Sequence, residues 1–297
     1  MYKAKEIAEQ AQDKGQVKHV IAVAAGKGGV GKSTVAVNLA LALQSQGKKV
    51  GIFDADIYGP SVRKMLPEEH PPSQQGNQII PAICYGGVRM MSMAYFRKDK
   101  EAAVIRAPIA NGIIMQFIQN TAWGNLDYLL IDFPPGTGDI QLTLSQHANL
   151  LGALMVTTPQ EIAVMDVRKA IDLFEKVHLP IIGIVENMSY YKDLTTGQKL
   201  HLFGKGGGRK LAKASGVPFL GEIPIDAEIC LRGDSGEPLI VKDIRDTSDG
   251  AFAFLEFSKN FIQEVEALKN STEGSLQNFV LTWKEIPADA VISNSKY

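Results

Sequence analysis

Gly26-Lys27-Gly28-Gly29-Val30-Gly31-Lys32-Ser33 is the stretch on which the reading of this chain turns. Its spacing fits G-x-x-x-x-G-K-[ST], a loop that wraps a phosphate chain, and an additional lysine, Lys27, directly follows the first glycine. An apolar run, Val20-Ile21-Ala22-Val23-Ala24-Ala25, precedes the loop, and a helical pattern from Thr34 to Gln44 follows it. That strand–loop–helix context gives the motif its physical meaning. Glycines let the backbone take positive φ angles and turn N–H groups inward around an anion. The helix opening near Ser33 directs the positive end of its dipole at the same point. Lys32 is expected to reach the β- and γ-phosphates of a nucleotide, and the Ser33 hydroxyl to ligate Mg²⁺.

Outward from the loop, apolar β-type runs alternate with helical ones. Strands are expected at 19–25, 48–53, 127–131, 152–157, 180–185 and 218–222, and helices at 33–46, 109–120, 139–149, 161–177, 205–214 and 248–269. Strands that are apolar throughout, alternating with helices, predict an α/β fold: a mostly parallel, doubly wound sheet flanked by helices in three layers. Residues 67–78 read as a polar, proline-bearing insertion before two short β-like segments, Ile79–Ile83 and Val88–Met93, a candidate edge hairpin. Residues 1–17 read as a polar helical extension, 18–270 as the nucleotide-binding domain and 271–297 as a tail, with 270–275 a linker.

The 297 residues are 45% hydrophobic and 21% charged, with a formal net charge of −1, which suits a globular protein with a sizeable core. That balance gives no general pull toward nucleic acid or an anionic membrane. Neither a transmembrane run nor a signal peptide is read from the sequence. Two cysteines, Cys84 and Cys230, lie far apart, so no disulfide framework is expected and a reducing cytoplasm fits.

Two acidic segments close apolar runs. Asp132 follows Tyr128-Leu129-Leu130-Ile131 and leads into Phe133-Pro134-Pro135-Gly136-Thr137-Gly138-Asp139. A carboxylate at the end of a buried strand is where a nucleotide's Mg²⁺ is held, and the stiff-then-flexible loop after it suits a γ-phosphate sensor. Asp54 and Asp56 follow Val50-Gly51-Ile52-Phe53. Strand ends converge on the ligand crevice of an open α/β sheet. One of these two carboxylates is expected to orient the attacking water and the other to support the metal shell; spacing alone leaves the division open.

The loop through Thr34 resembles the deviant phosphate loop of the family that contains MinD, ParA, the arsenite-pump ATPases and nitrogenase iron protein. Further segments resemble its Mrp/ApbC branch: Asp54-Ala55-Asp56-Ile57-Tyr58-Gly59-Pro60-Ser61, Thr158-Pro159-Gln160, Glu186-Asn187-Met188-Ser189-Tyr190 and Gly221-Glu222-Ile223-Pro224. The resemblance runs from about residue 18 to 265. It implies ATP held by Gly26, Lys27, Gly28, Gly29, Val30, Gly31, Lys32, Ser33 and Thr34. It implies Lys27 acting across a homodimer, Asp56 positioning water, Asp132 associated with Mg²⁺ and Asn187 recognising the base. Members of this branch resemble ATP-dependent carriers or scaffolds that pass iron–sulfur clusters to apoproteins.

One departure stands out. The family's Cys-x-x-Cys after the Asn-Met-Ser-Tyr segment is replaced here by Tyr191-Lys192-Asp193-Leu194-Thr195-Thr196-Gly197-Gln198-Lys199. Clusters are held by thiolates, and this stretch has none. The amino-terminal domain of many bacterial members is not expected. The alternative is a spatial organiser of the MinD or ParA sort, binding membrane or DNA; residues Phe279 to Pro287 are apolar but scarcely basic, unlike a membrane-surface helix.

Overall fold

The computed structural model describes residues 15–56, 59, 61–96, 107–136, 138–193, 195–241 and 248–277. The first half runs β1 (Val17–Ala25), α1 (Lys32–Ser45), β2 (Val50–Asp54), α2 (Val62–Met65), β3 (Glu68–His70), β4 (Ser73–Gln75), β5 (Gln78–Ile80), β6 (Ala82–Cys84), β7 (Arg89–Ser92) and α3 (Ala107–Asn120). The second continues with β8 (Leu126–Asp132), α4 (Asp139–His147), β9 (Gly152–Thr157), α5 (Glu161–Lys176), β10 (Ile181–Glu186), β11 (Tyr191–Lys192) and β12 (Lys199–Leu200). It closes with α6 (Gly207–Ser215), β13 (Phe219–Glu222), α7 (Ala227–Ser235) and α8 (Asp249–Gln277).

Nine strands form one sheet in the order β13-β10-β9-β1-β8-β2-β7-β6-β3. From β13 to β7 every pairing is parallel, and β6 and β3 add an antiparallel edge. The expected edge hairpin is β6–β7. Side chains along β1 alternate between two cores: Ile21, Val23 and Ala25 pack with α1 and α8, while Ala22 and Ala24 face the side of α3, α4 and α5. Both faces are therefore apolar, which is why the strand reads as an unbroken hydrophobic run.

Helix α1 is buried over most of its length and α8 lays Phe254, Phe257 and Phe261 beside it. Phe261 packs at 6.0 Å between ring centroids on Tyr128 of β8. Phe261→Ala opens a cavity there and is expected to lower stability by ~3–5 kcal/mol, read from denaturant midpoints at unchanged slope.

Several expectations change. The insertion at 67–78 contains β3 and β4, because the chain pairs back onto β6 and β5 despite its polarity. The linker read at 270–275 lies within α8, which runs on through Gln277; helical propagation there outweighs a polar composition. Val17, assigned to the extension, opens β1, and residues 1–14 and 278–297 lie outside the described residues. Among the described residues no helix is long and apolar enough to cross a membrane.

Candidate functional site

β1 ends at Ala25, β2 at Asp54 and β8 at Asp132, three neighbouring strands finishing on one edge of the sheet. The glycine loop leaves β1. Gly29 and Gly31 hold φ of +82° and +81°, the left-handed region that suits glycine. Gly26 is needed for a different reason: a β-carbon there would run into the Asp166 peptide of α5. Gly28 meets no obstacle. At Gly31 a β-carbon would strike the Asn187 side-chain amide, which donates to the Val30 carbonyl at 2.9 Å.

The loop borders a cavity of about 250 Å³ that Lys27, Lys32, Ser33 and Thr34 line together with Asp56, Ser61, Met65 and Pro135. That is below the ~300–1,000 Å³ of pockets for whole drug-sized ligands. It suits a phosphate chain with the nucleoside lying outside. An α-helix leaves its first N–H groups without intrahelical acceptors, and Lys32, Ser33 and Thr34, which carry them in α1, line the cavity.

Below the cavity floor, Asp54 and Asp132 are paired in register on adjacent strands and both are fully buried. Asp132 accepts from the Lys32 ammonium and the Ser33 hydroxyl, each at 2.5 Å. Burial pushes its carboxyl up, opposed by Lys32 and Ser33. Asp54 accepts from the Ser92 hydroxyl and the Asp56 amide, both at 3.1 Å. Its carboxyl is pushed up to about 7, first by burial and then by Asp132. Lys32 bonds Asp132 and not Asp54, so Asp54 holds its proton to higher pH than an ordinary carboxyl does. Asp56 is partly exposed, lines the cavity and accepts from the Gly59 amide at 3.1 Å.

Asp54 carries a consequence for stability. Its ordinary value is 3.8, so as pH rises the unfolded chain loses this proton before the folded one. The stabilisation is complete below about pH 4 and lost as pH climbs through 7. A gap of about three pH units at ~1.4 kcal/mol each makes the loss ~4 kcal/mol. Asp54→Asn can still accept from the Asp56 amide and, with the bond reversed, donate to the Ser92 hydroxyl, and it has no proton to lose. It is expected to match the parent near pH 4 and exceed it by ~2–4 kcal/mol near pH 8. Denaturant melts at both pH values check this; equal stability of the two proteins near pH 8 contradicts it.

The structure thus brings Lys27, Lys32, Ser33, Thr34 and Asp56 to one cavity, with Asp132 beneath and Asp54 behind Asp132. Asn187 is buried against the back of the loop, tied to Val30 rather than lining the cavity. Glu186, quoted within the resemblance, was given no role of its own from the sequence. It is fully buried, accepting from the Ser189 hydroxyl at 2.5 Å and from the Gly208 amide at 2.6 Å, and so fixes the turn that carries Asn187. Its signal was visible: an acid closing an apolar run, like Asp54 and Asp132.

The pairing of a Ser33 hydroxyl with a buried carboxylate supplies the hard oxygen donors that Mg²⁺ takes. Thiolates for a cluster are another matter. The family's cysteine position is the β11–β12 hairpin, with Asp193 capping the Thr195 and Thr196 amides. Cys84 is buried and its thiol is pushed up to about 12, first by that burial. Cys230 is exposed on α7. The ring nitrogen Nδ1 of His201 lies 3.1 Å from the Ser189 carbonyl. Among the described residues no group of three or more His, Cys, Asp or Glu could hold a metal, so these side chains do not fit a cluster held within one chain.

Comparison with known proteins agrees with this architecture. The ParA family model, described as NUBPL iron-transfer P-loop NTPase, matches residues 16–260. The chain belongs to this family. A relative named iron-sulfur cluster carrier protein from Methanocaldococcus jannaschii is 44% identical over 269 residues, 90% of this chain and 91% of that one. One of the same name from Aquifex aeolicus is 45% identical over 86% of this chain and 70% of its own length. The Escherichia coli K12 protein of that name is 48% identical, and this chain spans only 61% of it. Among solved structures, a nucleotide-binding protein from Archaeoglobus fulgidus in complex with ADP superposes with a TM-score of 0.68 at 38% identity, covering 84% of this chain and 96% of that one. The cell division ATPase MinD of Pyrococcus furiosus, 21% identical with a TM-score of 0.60 over 83% and 99%, shares the fold. The three-layer P-loop architecture expected from the sequence is the one found.

Proposed function

We propose that this chain binds and hydrolyses Mg-ATP as a homodimer and serves as a carrier or scaffold in iron–sulfur cluster assembly, delivering clusters to apoproteins. The observation that carries the reading is 44% identity across 90% of this chain to a relative named for cluster carriage. The cavity supports the nucleotide half of it. Lys32 leaves Asp132 for the β- and γ-phosphates when ATP enters, and Ser33 and Asp132 are then available to Mg²⁺, which neutralises phosphate charge. Asp56 orients the water that attacks the γ-phosphorus. Lys27, on the cavity's lip and free of ion pairs among the described residues, reaches the phosphates bound by the other subunit. Asn187 secures the loop from behind, and its base-recognising role belongs to the same proposal.

The cargo is not gripped at the family's cysteine pair in this chain. Anaerobic reconstitution with iron and sulfide, followed by transfer to an apo-acceptor, tests carriage. Stoichiometric iron and sulfide with transfer support it; neither bound nor passed on ends the carrier claim and leaves an ATPase. The spatial-organiser alternative has nothing here to favour it beyond the fold, and the tail that would hold its membrane helix lies outside the described residues.

A further inference from the structure

Pro135 belongs to the segment after β8 and lines the same cavity as the glycine loop. Pro134 and Pro135 lack N–H groups, and Gly136 sits at φ +92°. The segment is tied to the body by Gln141, in the first turn of α4. Gln141 is fully buried; its Nε2 donates to the Pro134 carbonyl at 2.7 Å, while its backbone N–H bonds Gly138 at 3.0 Å. Its side-chain oxygen, equally buried, has no donor among the described residues. A stranded buried acceptor is unfavourable, and a leucine would fill the same space without one. What the glutamine adds is the tie to Pro134.

Resting on the ATPase reading above, we infer that Gln141 is a positioning residue for hydrolysis. It holds Pro134–Pro135 against the phosphate chain and passes the displacement of that segment on ATP binding into α4. It does not line the cavity; it acts through the two prolines. α4 packs on α3, so the movement has a route to the far face of the layer.

Gln141→Leu tests this with the volume preserved. Phosphate-release kinetics are expected to show kcat down on the order of 10- to 100-fold, as a misplaced wall costs, with KM for ATP within about threefold. Its thermal midpoint should not fall. Gln141→Glu separates the tie from mere filling: protonated, it still donates to Pro134, so its kcat should recover as pH is lowered while that of Gln141→Leu stays low. Hydrogen exchange supplies a readout independent of turnover. Mg-ATP should protect amides of 139–147 in the parent and not in Gln141→Leu. Parent-like kcat in Gln141→Leu, identical pH profiles for the two variants, or ATP-induced protection absent from the parent or retained by Gln141→Leu overturns the inference. A parent that turns over no ATP defeats the ATPase reading instead, and the exchange experiment still decides the role of Gln141.

Discussion

Lys27→Ala is expected to bind Mg-ATP as tightly as the parent while losing on the order of 10³-fold or more in turnover, the scale on which a cation supplied across an interface acts in phosphoryl transfer. Lys27 stands on the cavity rim, partly exposed, with no ion pair among the described residues. Its removal therefore strands nothing in the fold, and the melting temperature should not move. Calorimetric titration with Mg-ATP and single-turnover phosphate release separate affinity from chemistry. A variant that hydrolyses ATP like the parent rules out the cross-subunit role.

Lys32→Ala should fail in a different way. Lys32 is the buried cation beside Asp132. Losing its hydrogen bonds to charged phosphates, at ~1.5–3 kcal/mol, lowers nucleotide affinity on the order of 10- to 100-fold. Removing one member of a buried ion pair costs ~3–5 kcal/mol by leaving the other uncompensated. Asp132 then retains only the Ser33 hydroxyl. The expected result is a protein both weaker for ATP and less stable, regaining stability as pH falls and Asp132 takes up a proton. Isothermal titration and denaturant melts at two pH values check both halves. Unchanged stability would mean that the Lys32–Asp132 contact contributes nothing in solution.

Most of the architecture could be read from residue pattern because the sheet is covered on both sides. Unbroken apolar runs such as 152–157 allow one interpretation, and β9 occupies that span. The glycine loop was legible for the same reason: its residue types are dictated by a phosphate chain. Harder to see were elements whose stability is borrowed. β3 and β4 are polar and exist through pairing, and α7 buries little of its own. Within the site, Gly26 seemed to serve backbone freedom, but its reason is the closeness of α5, a partner remote in sequence. Asn187 likewise could not be assigned to the back of the loop before the end of β10 was seen beside Val30.

That closeness limits what can be moved between proteins. The peptide of Asp166 presses on one end of the loop and the amide of Asn187 on the other, so the cradle's shape is cast by a mould made elsewhere in the chain. Residues 26–34 transplanted into another scaffold would carry the signature without the die that stamps it; the smallest portable unit includes the second turn of α5 and the turn after β10.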